Sequence, residues 1–587
     1  MADPIRIANC SGFFGDRLSG AREMVEGGPI DVLTGDWLAE LTMLILTRIR
    51  AKNPGRGFAG TFVTQMEQVM GTCLDKGITV VSNAGGLDPA GCAEALHEVA
   101  DRLGLSPSIA WVDGDDLLDR AVALADSGDL TAFDPTNGLG DVSRYISANA
   151  YLGCWGIVEA LAGGADIVVT GRVTDAAVVC GPAAHHHGWA RNDWDALAGA
   201  VVAGHVIECS AQATGGNYSF FTEVPGRERI GFPWAEVASD GSSVIGKHDG
   251  TGGLVSTGTI TSQLLYEIGS ERYLGPDVIA RFDTIRLDDV SPDRVRISGV
   301  RGEPPTGSLK VAMNELGGYR NDMVLALTGL DIEAKAEMAE AAFWAACPFS
   351  PDDFEQCEVR LVRTDHADPD SNEAATAQLR ISVKDRDERK VGRAFANAMT
   401  ETGLASIPGF YSLSGGPSAG SPYGVYRPAL VPGELVPQYV HVDGRTVMVD
   451  ATPGTDADHI VVTPTSGPAA VMPSGPTRSA PLGTIYGTRS GDKGGDANLG
   501  IFARSDEAWA WLRDTLTVER LQELLPETAS LHVDRYELAN IRSLNFVVRG
   551  LLSEGVAAST RTDAQAKSLG EWFRARFVEL PVSLLDS

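Results

Sequence analysis

Five short apolar runs, each ending in polar and glycine residues, recur through the first part of the chain. They occupy residues 6–9, 30–33, 78–82, 109–112 and 167–169. An apolar run without polar alternation predicts a strand that is covered on both faces, as in a parallel sheet. Small molecules bind beyond the carboxyl ends of such strands. We therefore expect the polar residues that follow these runs to form the rim of an active site.

Helical patterns separate the predicted strands. Apolar residues three or four apart predict a helix over 37–50, with Asp36 as its N-terminal cap. Further helices are expected over 89–103, 117–127 and 145–163. The alternation predicts an α/β domain over residues 1–278, built on a mostly parallel sheet with flanking helices.

The pattern changes after residue 278. Strands are expected at 294–299, 308–315, 323–328, 358–363 and 378–383, and helices at 331–346 and 391–402. Strands followed by a helix, twice in succession, indicate a sheet with helices on one face. We therefore predict a middle α+β domain over residues 279–450.

The remainder of the chain divides into a linker and a small module. Residues 451–480 are rich in Pro, Gly, Ser and Thr, a composition that cannot bury enough apolar surface to form a core. Residues 481–587 are expected to form a small α+β module. Its predicted elements are strands at 482–486, 499–503, 531–537 and 544–548, two short helices, and a final helix at 563–577.

Composition narrows the classes of partner. A formal net charge of −30 excludes nucleic acid, because binding to phosphates relies on an excess of Lys and Arg. No apolar run approaches the roughly 20 residues needed to span a bilayer, so no membrane partner is expected. The 8 cysteines form no C-x-x-C pair and predict no metal site. Together with an N-terminus that lacks a signal-peptide pattern, they predict a cytoplasmic protein.

Two segments near residues 171 and 208 carry the acid and base candidates. Arg172 follows a predicted strand and is suited to holding a carboxylate or phosphate, whereas Asp175 is a base candidate or only a helix cap. Glu208 becomes a general acid or base if a dry cleft raises its pKa. Cys209 is a candidate nucleophile, although a buried structural cysteine is the favoured alternative.

Glycine-rich loops supply the binding candidates. Lys247, counted among the catalytic candidates, lies in a loop that is either an anion site or a tight turn. A second loop, 489–498, is either part of the active site, a subunit contact or a solvated hairpin tip. The expected substrate-binding residues are Asn83, Gly85, Gly86, Gly171, Arg172, Gly215, Gly216, Asn217, Thr251, Gly252, Gly253, Arg489, Asp492 and Lys493.

Several motifs resemble those of one known family. The segments SNAGGLDP, GRVTD, GHVIECSAQATGGN and KHDGTGGLVS are similar to segments of the acyclic terpene utilisation family, AtuA. RSGDKGGDANLGIFAR resembles the AtuA-like ferredoxin-fold domain, which implies a ferredoxin-like fold for residues 481–587. The resemblance extends over nearly the full chain. It implies a role in the bacterial catabolism of branched or terpenoid acids through coenzyme A thioesters.

These observations lead to one expected function and one rival. We expect an enzyme of hydratase or lyase type that acts on an acyl-CoA or a branched carboxylic acid, with Glu208 and Asp175 as acid and base. The rival is a non-catalytic ligand-binding or assembly subunit of an acyl-CoA degradation pathway. No cofactor is expected, and a coenzyme A thioester would enter only as substrate. A homo-oligomer and a complex with pathway enzymes both stay open.

Overall fold

A computed structural model describes residues 3–38, 40–134, 138–413, 416, 418–454, 463–469 and 471–586. The chain divides into two compact units. One comprises Met1–Asn314 and Tyr426–Ser587, and the other comprises Glu315–Val425. The domain boundaries expected from the sequence are neither supported nor contradicted by this division.

The first unit is built on an 11-stranded mixed sheet. The five apolar runs predicted as strands form its parallel centre, which confirms them. The expected mostly parallel sheet is only partly parallel, because the six flanking strands pair antiparallel. From edge to edge the strands are Arg286–Ser291, Arg294–Ser298, Ser243–Lys247, Pro233–Val237, Ile5–Asn9, Val32–Gly35, Thr79–Ser82, Ile167–Thr170, Ile109–Asp113, Gln438–Val442 and Arg445–Val449.

Helices flank this sheet and bury its apolar strands in two clusters. In chain order they are Gly20–Gly27, Glu40–Lys52, Gly60–Lys76, Pro89–Leu103, Ala121–Ser127, Trp155–Ala162, Ala177–His187, Trp194–Ile207 and Thr257–Leu264. None of the helices in the described ranges is both long and apolar enough to cross a bilayer.

Two helix predictions in this unit are wrong in part. The helix expected from residue 37 begins at Glu40, and Asp36 accepts a hydrogen bond from the amide of Leu38, which precedes the helix. The helix expected over 145–163 is a strand, Tyr145–Ala150, followed by a helix, Trp155–Ala162. Backbone hydrogen bonds to Asp115 and Leu117 hold this strand extended, so tertiary pairing overrides the local helical pattern.

The second unit is an antiparallel sheet with helices, in agreement with the predicted α+β class. Its strands are Gln356–Val362, Thr376–Asp385, Phe410–Ser412 and parts of Ser308–Thr328 and Ser421–Pro432, and its helices are Ile332–Ala346, Glu388–Val391 and Arg393–Glu401. The two strands expected at 308–315 and 323–328 are one continuous strand. Thr376–Asp385 pairs with its residues 319–328, which leaves no room for the expected turn.

The C-terminal module belongs to the first unit. A four-stranded antiparallel sheet has the order Tyr486–Lys493, Asp496–Ala503, Ser543–Val548 and Val533–Leu538. Helices Asp506–Thr515, Val518–Leu524 and Leu569–Arg574 pack with it around an apolar core. The glycine-rich segment 489–498 is therefore mostly strand, with a tight turn at Gly494 and Gly495, and the final helix is shorter than expected.

The predicted linker lies partly outside the described residues, at 455–462 and 470. Its last residues form the strand Thr477–Pro481, which pairs with Phe577–Pro581. This pairing joins the end of the linker to the end of the module.

Candidate active site at the carboxyl ends of the parallel strands

Polar side chains following three central strands form a connected network. Asp36 follows Val32–Gly35, and its Oδ1 accepts a hydrogen bond of 2.6 Å from Nδ2 of Asn83, which follows Thr79–Ser82. Asn83 Oδ1 in turn accepts the amide of Trp37 at 2.8 Å. Asn83, a predicted binding residue, therefore fixes the conformation of the chain around Asp36.

Arg172 lies at the centre of this network, with 2% of its surface exposed. Its guanidinium donates to the carbonyl oxygen of Leu38 and to Asp175 Oδ1, and it lies 4.1 Å from the ring centre of Tyr151. Burial disfavours its charge, but Asp175, Tyr151 and Asp36 outweigh burial and raise the pKa of Arg172. Its Nε makes no hydrogen bond within the described part of the chain. Arg172 is therefore a permanent buried cation with an N–H still to be satisfied.

Two aspartates near Arg172 have raised pKa values. Burial, followed by repulsion from Asp175, raises the pKa of Asp36 to about 7, although Arg172 and Asn83 oppose the shift. Burial also raises the pKa of Asp115 to about 7. Asp115 Oδ2 accepts the backbone amide of Arg172 at 3.0 Å and Nδ2 of Asn149 at 2.8 Å. Asp115 thus positions the backbone of the residue that carries the central cation.

Glu208 directly follows the helix Trp194–Ile207 and is 6% exposed. Burial, with further contributions from Asp175, Asp36 and Glu267, raises the pKa of Glu208 well above its ordinary value. Its Oε2 has no hydrogen-bond partner among the described residues. The raised pKa favours the protonated form of the Glu208 carboxyl, which lies in the same electrostatic cluster as Asp175 and Arg172.

Cys209 lies beside Glu208 in the thiol form. Burial and the neighbouring Glu208 and Glu267 carboxyls raise its pKa well above the ordinary value, and Arg489 opposes the shift only in part. A thiolate, not a thiol, is the effective nucleophile. The nucleophilic role of Cys209 stays a prediction, but the surroundings of this residue favour the structural alternative.

The C-terminal module places Arg489 next to this cluster. Arg489 is 7% exposed, donates to Gln212 Oε1 and to the carbonyl oxygen of Asn217, and lies 4.1 Å from the ring centre of Tyr266. Burial lowers its pKa. Lys493 donates to the carbonyl oxygen of Glu267 at 3.0 Å. These contacts bring two predicted binding residues of the module to the segments around Glu208, while Asp492 lies in the strand opposite Ala497.

Lys247 contacts one residue of its own turn and one aspartate from a later part of the chain. Its Nζ lies 3.0 Å from Asp293 Oδ2 and donates to the carbonyl oxygen of Thr251 at 2.9 Å. The amide of Gly253 donates to Pro225, and the carbonyl of Gly252 accepts the amide of Gly231. These contacts fit the tight-turn alternative, and the anion-binding role of Lys247, Thr251, Gly252 and Gly253 stays a prediction.

The other predicted glycines allow close packing around the network. A methyl group on Gly171 would collide with Asp115 Oδ1, and one on Gly85 would lie 2.5 Å from the carbonyl oxygen of Thr170. A methyl group would lie 2.4 Å from its nearest neighbour on Gly86, 3.0 Å on Gly215 and 2.8 Å on Gly216. Asn217 has a φ of 56°, and its carbonyl accepts from Arg489. Gly171 therefore has a defined role, which is to let Asp115 reach the Arg172 backbone.

Several residues of the site were missing from the sequence-based list. Asp36 and Asp115 could have been found, because each follows a predicted strand directly, in the segments TGD and DGD. His205 could also have been found, because it lies three positions before Glu208, whereas Tyr151 and Glu267 could not, because their relation to Arg172 and Glu208 depends on contacts between distant parts of the chain. In the described ranges, no three His, Cys, Asp or Glu side chains are grouped so as to hold a metal ion.

Two family models match the chain. The model described as acyclic terpene utilisation family protein AtuA matches residues 5–442, and the AtuA ferredoxin-like domain matches residues 480–579. Comparison with curated proteins and with solved structures gave no match. The first model alone spans more than half of the chain, and its match includes the strand ends, Arg172 and Glu208. The chain therefore belongs to the acyclic terpene utilisation family AtuA and carries the family's ferredoxin-like domain.

Proposed function

We propose that this AtuA-family protein is an enzyme that acts on an acyl-CoA or a branched or terpenoid carboxylic acid, as a hydratase or a carbon–carbon lyase. Membership of the family supports a role related to terpene utilisation. The observation that carries the finer proposal is the buried Glu208 carboxyl, whose pKa is raised well above its ordinary value in the electrostatic cluster with Asp175 and Arg172. Two carboxyl groups in different environments can take separate acid and base roles.

The two carboxyl groups divide the work of proton transfer. Asp175, ion-paired with Arg172 and 31% exposed at its side chain, is the base, and Glu208 is the acid. In hydration, Asp175 takes a proton from water as the oxygen bonds to Cβ of an unsaturated thioester. The electron pair of the double bond moves to form an enolate, and Glu208 delivers its proton to Cα. In the lyase direction, Asp175 takes the proton of a β-hydroxyl group, the Cα–Cβ bond breaks, and Glu208 protonates Cα of the leaving enolate.

Arg172 stabilises the negative charge that develops during either reaction. Its Nε–H is buried and bonded to no described residue, and its position is fixed by Asp175, Leu38 and Tyr151. A preorganised donor aimed at developing charge costs no reorganisation during the reaction and typically contributes 10² to 10³ in rate. Arg489 adds a second buried cation at the end of the site formed by the C-terminal module.

Ligand binding tests the substrate class. Purified protein should be screened by thermal shift against free coenzyme A, branched and terpenoid acyl-CoAs, and the corresponding free acids. A ligand present at about 100 times its Kd stabilises the native state by about 2.7 kcal/mol. We expect a selective shift with one group of acyl-CoAs or acids, retained in Glu208→Gln because the substitution keeps the shape of the site.

Mass spectrometry of the mixture then separates the two reactions. A hydratase adds one water to the acyl group, whereas a lyase produces a shorter acyl-CoA and a carbonyl fragment. Selective binding without any product would contradict the enzyme proposal and favour a non-catalytic ligand-binding subunit. The absence of a shift with every compound would contradict the substrate class.

A further inference from the structure

His205 lies next to Glu208 and is a buried histidine without hydrogen-bond partners among the described residues, which is unusual. The imidazole is 1% exposed, and neither ring nitrogen has a hydrogen-bond partner among the described residues. Its Nδ1 lies 3.5 Å from Glu208 Oε1, three positions along the chain. That separation falls just short of good hydrogen-bond geometry, as catalytic hydrogen bonds often do before substrate binds.

The surroundings of His205 keep the ring uncharged. Burial lowers its pKa to about 4, and the positive charge of Lys493 adds to the effect. Asp175 opposes the shift, as do the nearby backbone carbonyls of Gln263 and Leu264, which do not meet hydrogen-bond geometry. A neutral histidine carries one ring proton, and on Nδ1 that proton can be donated to Glu208 Oε1, which leaves the carboxyl proton on Oε2.

Aromatic side chains limit the movement of the ring. The ring centre of His205 lies 5.0 Å from that of Tyr273 and 5.4 Å from that of Phe282. Tyr273 and Phe282 stack on each other at 5.2 Å. A ring held in this way keeps Nδ1 directed at Glu208, so Oε1 is fixed and Oε2 is the oxygen left for the reaction.

From this geometry we infer that His205 is a positioning residue, which donates from Nδ1 to Glu208 Oε1 and orients the carboxyl so that Oε2 faces substrate. This inference rests on the proposed function, in which Glu208 is the acid. His205 itself transfers no proton to substrate. A merely structural role, in which the ring only fills an aromatic pocket, is the competing explanation.

Three substitutions distinguish the two roles. His205→Phe keeps an aromatic ring in contact with Tyr273 and Phe282 but removes both nitrogens. His205→Asn places an amide near the position of Nδ1, and His205→Gln places it near that of Nε2. A structural role predicts that Phe is the best tolerated of the three, whereas a positioning role predicts that Asn is.

Infrared difference spectroscopy of the full-length protein at neutral pH provides the test. The band of the protonated Glu208 carboxyl is assigned by its loss in Glu208→Gln. We expect the band to move to higher wavenumber in His205→Phe, as for a carboxyl that has lost its hydrogen bond, and to return toward the wild-type position in His205→Asn. Turnover should fall by about threefold to tenfold in His205→Phe, the value of one hydrogen bond.

The outcomes separate failure of this inference from failure of the proposed function. If Glu208→Gln removes no carboxyl band, Glu208 is ionised and the proposed acid is wrong. If the band is present but unchanged in a folded His205→Phe variant, only the role of His205 is overturned. Circular dichroism and thermal unfolding establish that each variant is folded.

Discussion

Asp115→Asn should make the stability of the protein less sensitive to pH. Asp115 is 2% exposed, and burial raises its pKa to about 7 from an unfolded value of about 3.9. Below a pH of about 4 the carboxyl is protonated in both the folded and the unfolded state and does not change the free energy of unfolding. As pH rises from about 4 to 7, the unfolded state releases the proton while the folded state retains it, so wild-type stability falls.

The size of the effect follows from the pKa shift. A shift of about three pKa units, at 1.36 kcal/mol each, sets an upper limit of about 4 kcal/mol on the stability that wild type loses as pH rises from about 4 to 7. The asparagine variant has no carboxyl at this position and does not lose it. Asparagine keeps an acceptor for the amide of Arg172 and for Asn149. Relative to wild type, the variant should therefore gain stability steadily with pH up to about 7.

Thermal unfolding of both proteins at half-unit steps from pH 5 to 8 measures this difference. One kcal/mol corresponds to about 2–4 °C in Tm for domains of 150 to 250 residues. We expect the Tm of the variant to rise by several degrees relative to wild type between pH 5 and 7, and the difference to level off above that. A Tm difference independent of pH would show that Asp115 is ionised throughout and would refute the reasoning.

Three further substitutions test other parts of the site. Arg172→Met leaves the carboxyl of Asp175 without its buried cation, and chemical denaturation should show a loss of about 3–5 kcal/mol; combining it with Asp175→Asn should recover part of that loss. Gly171→Ala forces Asp115 away from the backbone and should lower the free energy of unfolding by about 1–3 kcal/mol in the same assay. A variant as stable as wild type would show that the collision is absent. Arg489→Leu removes the buried cation of the C-terminal module and should weaken ligand-induced thermal shifts while far-ultraviolet circular dichroism stays unchanged; undiminished shifts would exclude it from the site.

The fold could be predicted where apolar patterns are long or are followed by glycine and polar residues. The five central strands were found in this way, and so was the polar edge at Asp36, Asn83 and Arg172. The strand Tyr145–Ala150 was missed because it is held extended by hydrogen bonds to residues some 30 positions earlier. Local propensity carries no information about such a partner.

The candidate site could also be predicted only in part. Glu208 and Arg172 could be recognised as chemically capable residues from their neighbours in sequence. The raised pKa of Glu208 could not be predicted, because it depends on burial and on Asp175, Asp36 and Glu267 together. Lys247 was predicted from its glycine-rich loop, but its ion-pair partner Asp293 is 46 positions further on and could not be predicted from that loop.

Turnover by Glu208→Gln is the most direct test of the proposed chemistry. The rate of product formation from the acyl-CoA that gives the strongest thermal shift should be measured for wild type, Glu208→Gln and Asp277→Asn. Asp277 is a suitable control because it is another buried carboxyl, 3% exposed, whose pKa burial raises to about 6, and it binds the amide of Cys154. We predict a loss of about 10² to 10⁴ in rate for Glu208→Gln, the usual contribution of a general acid, with Asp277→Asn close to wild type. Full activity in a folded Glu208→Gln variant would contradict the account.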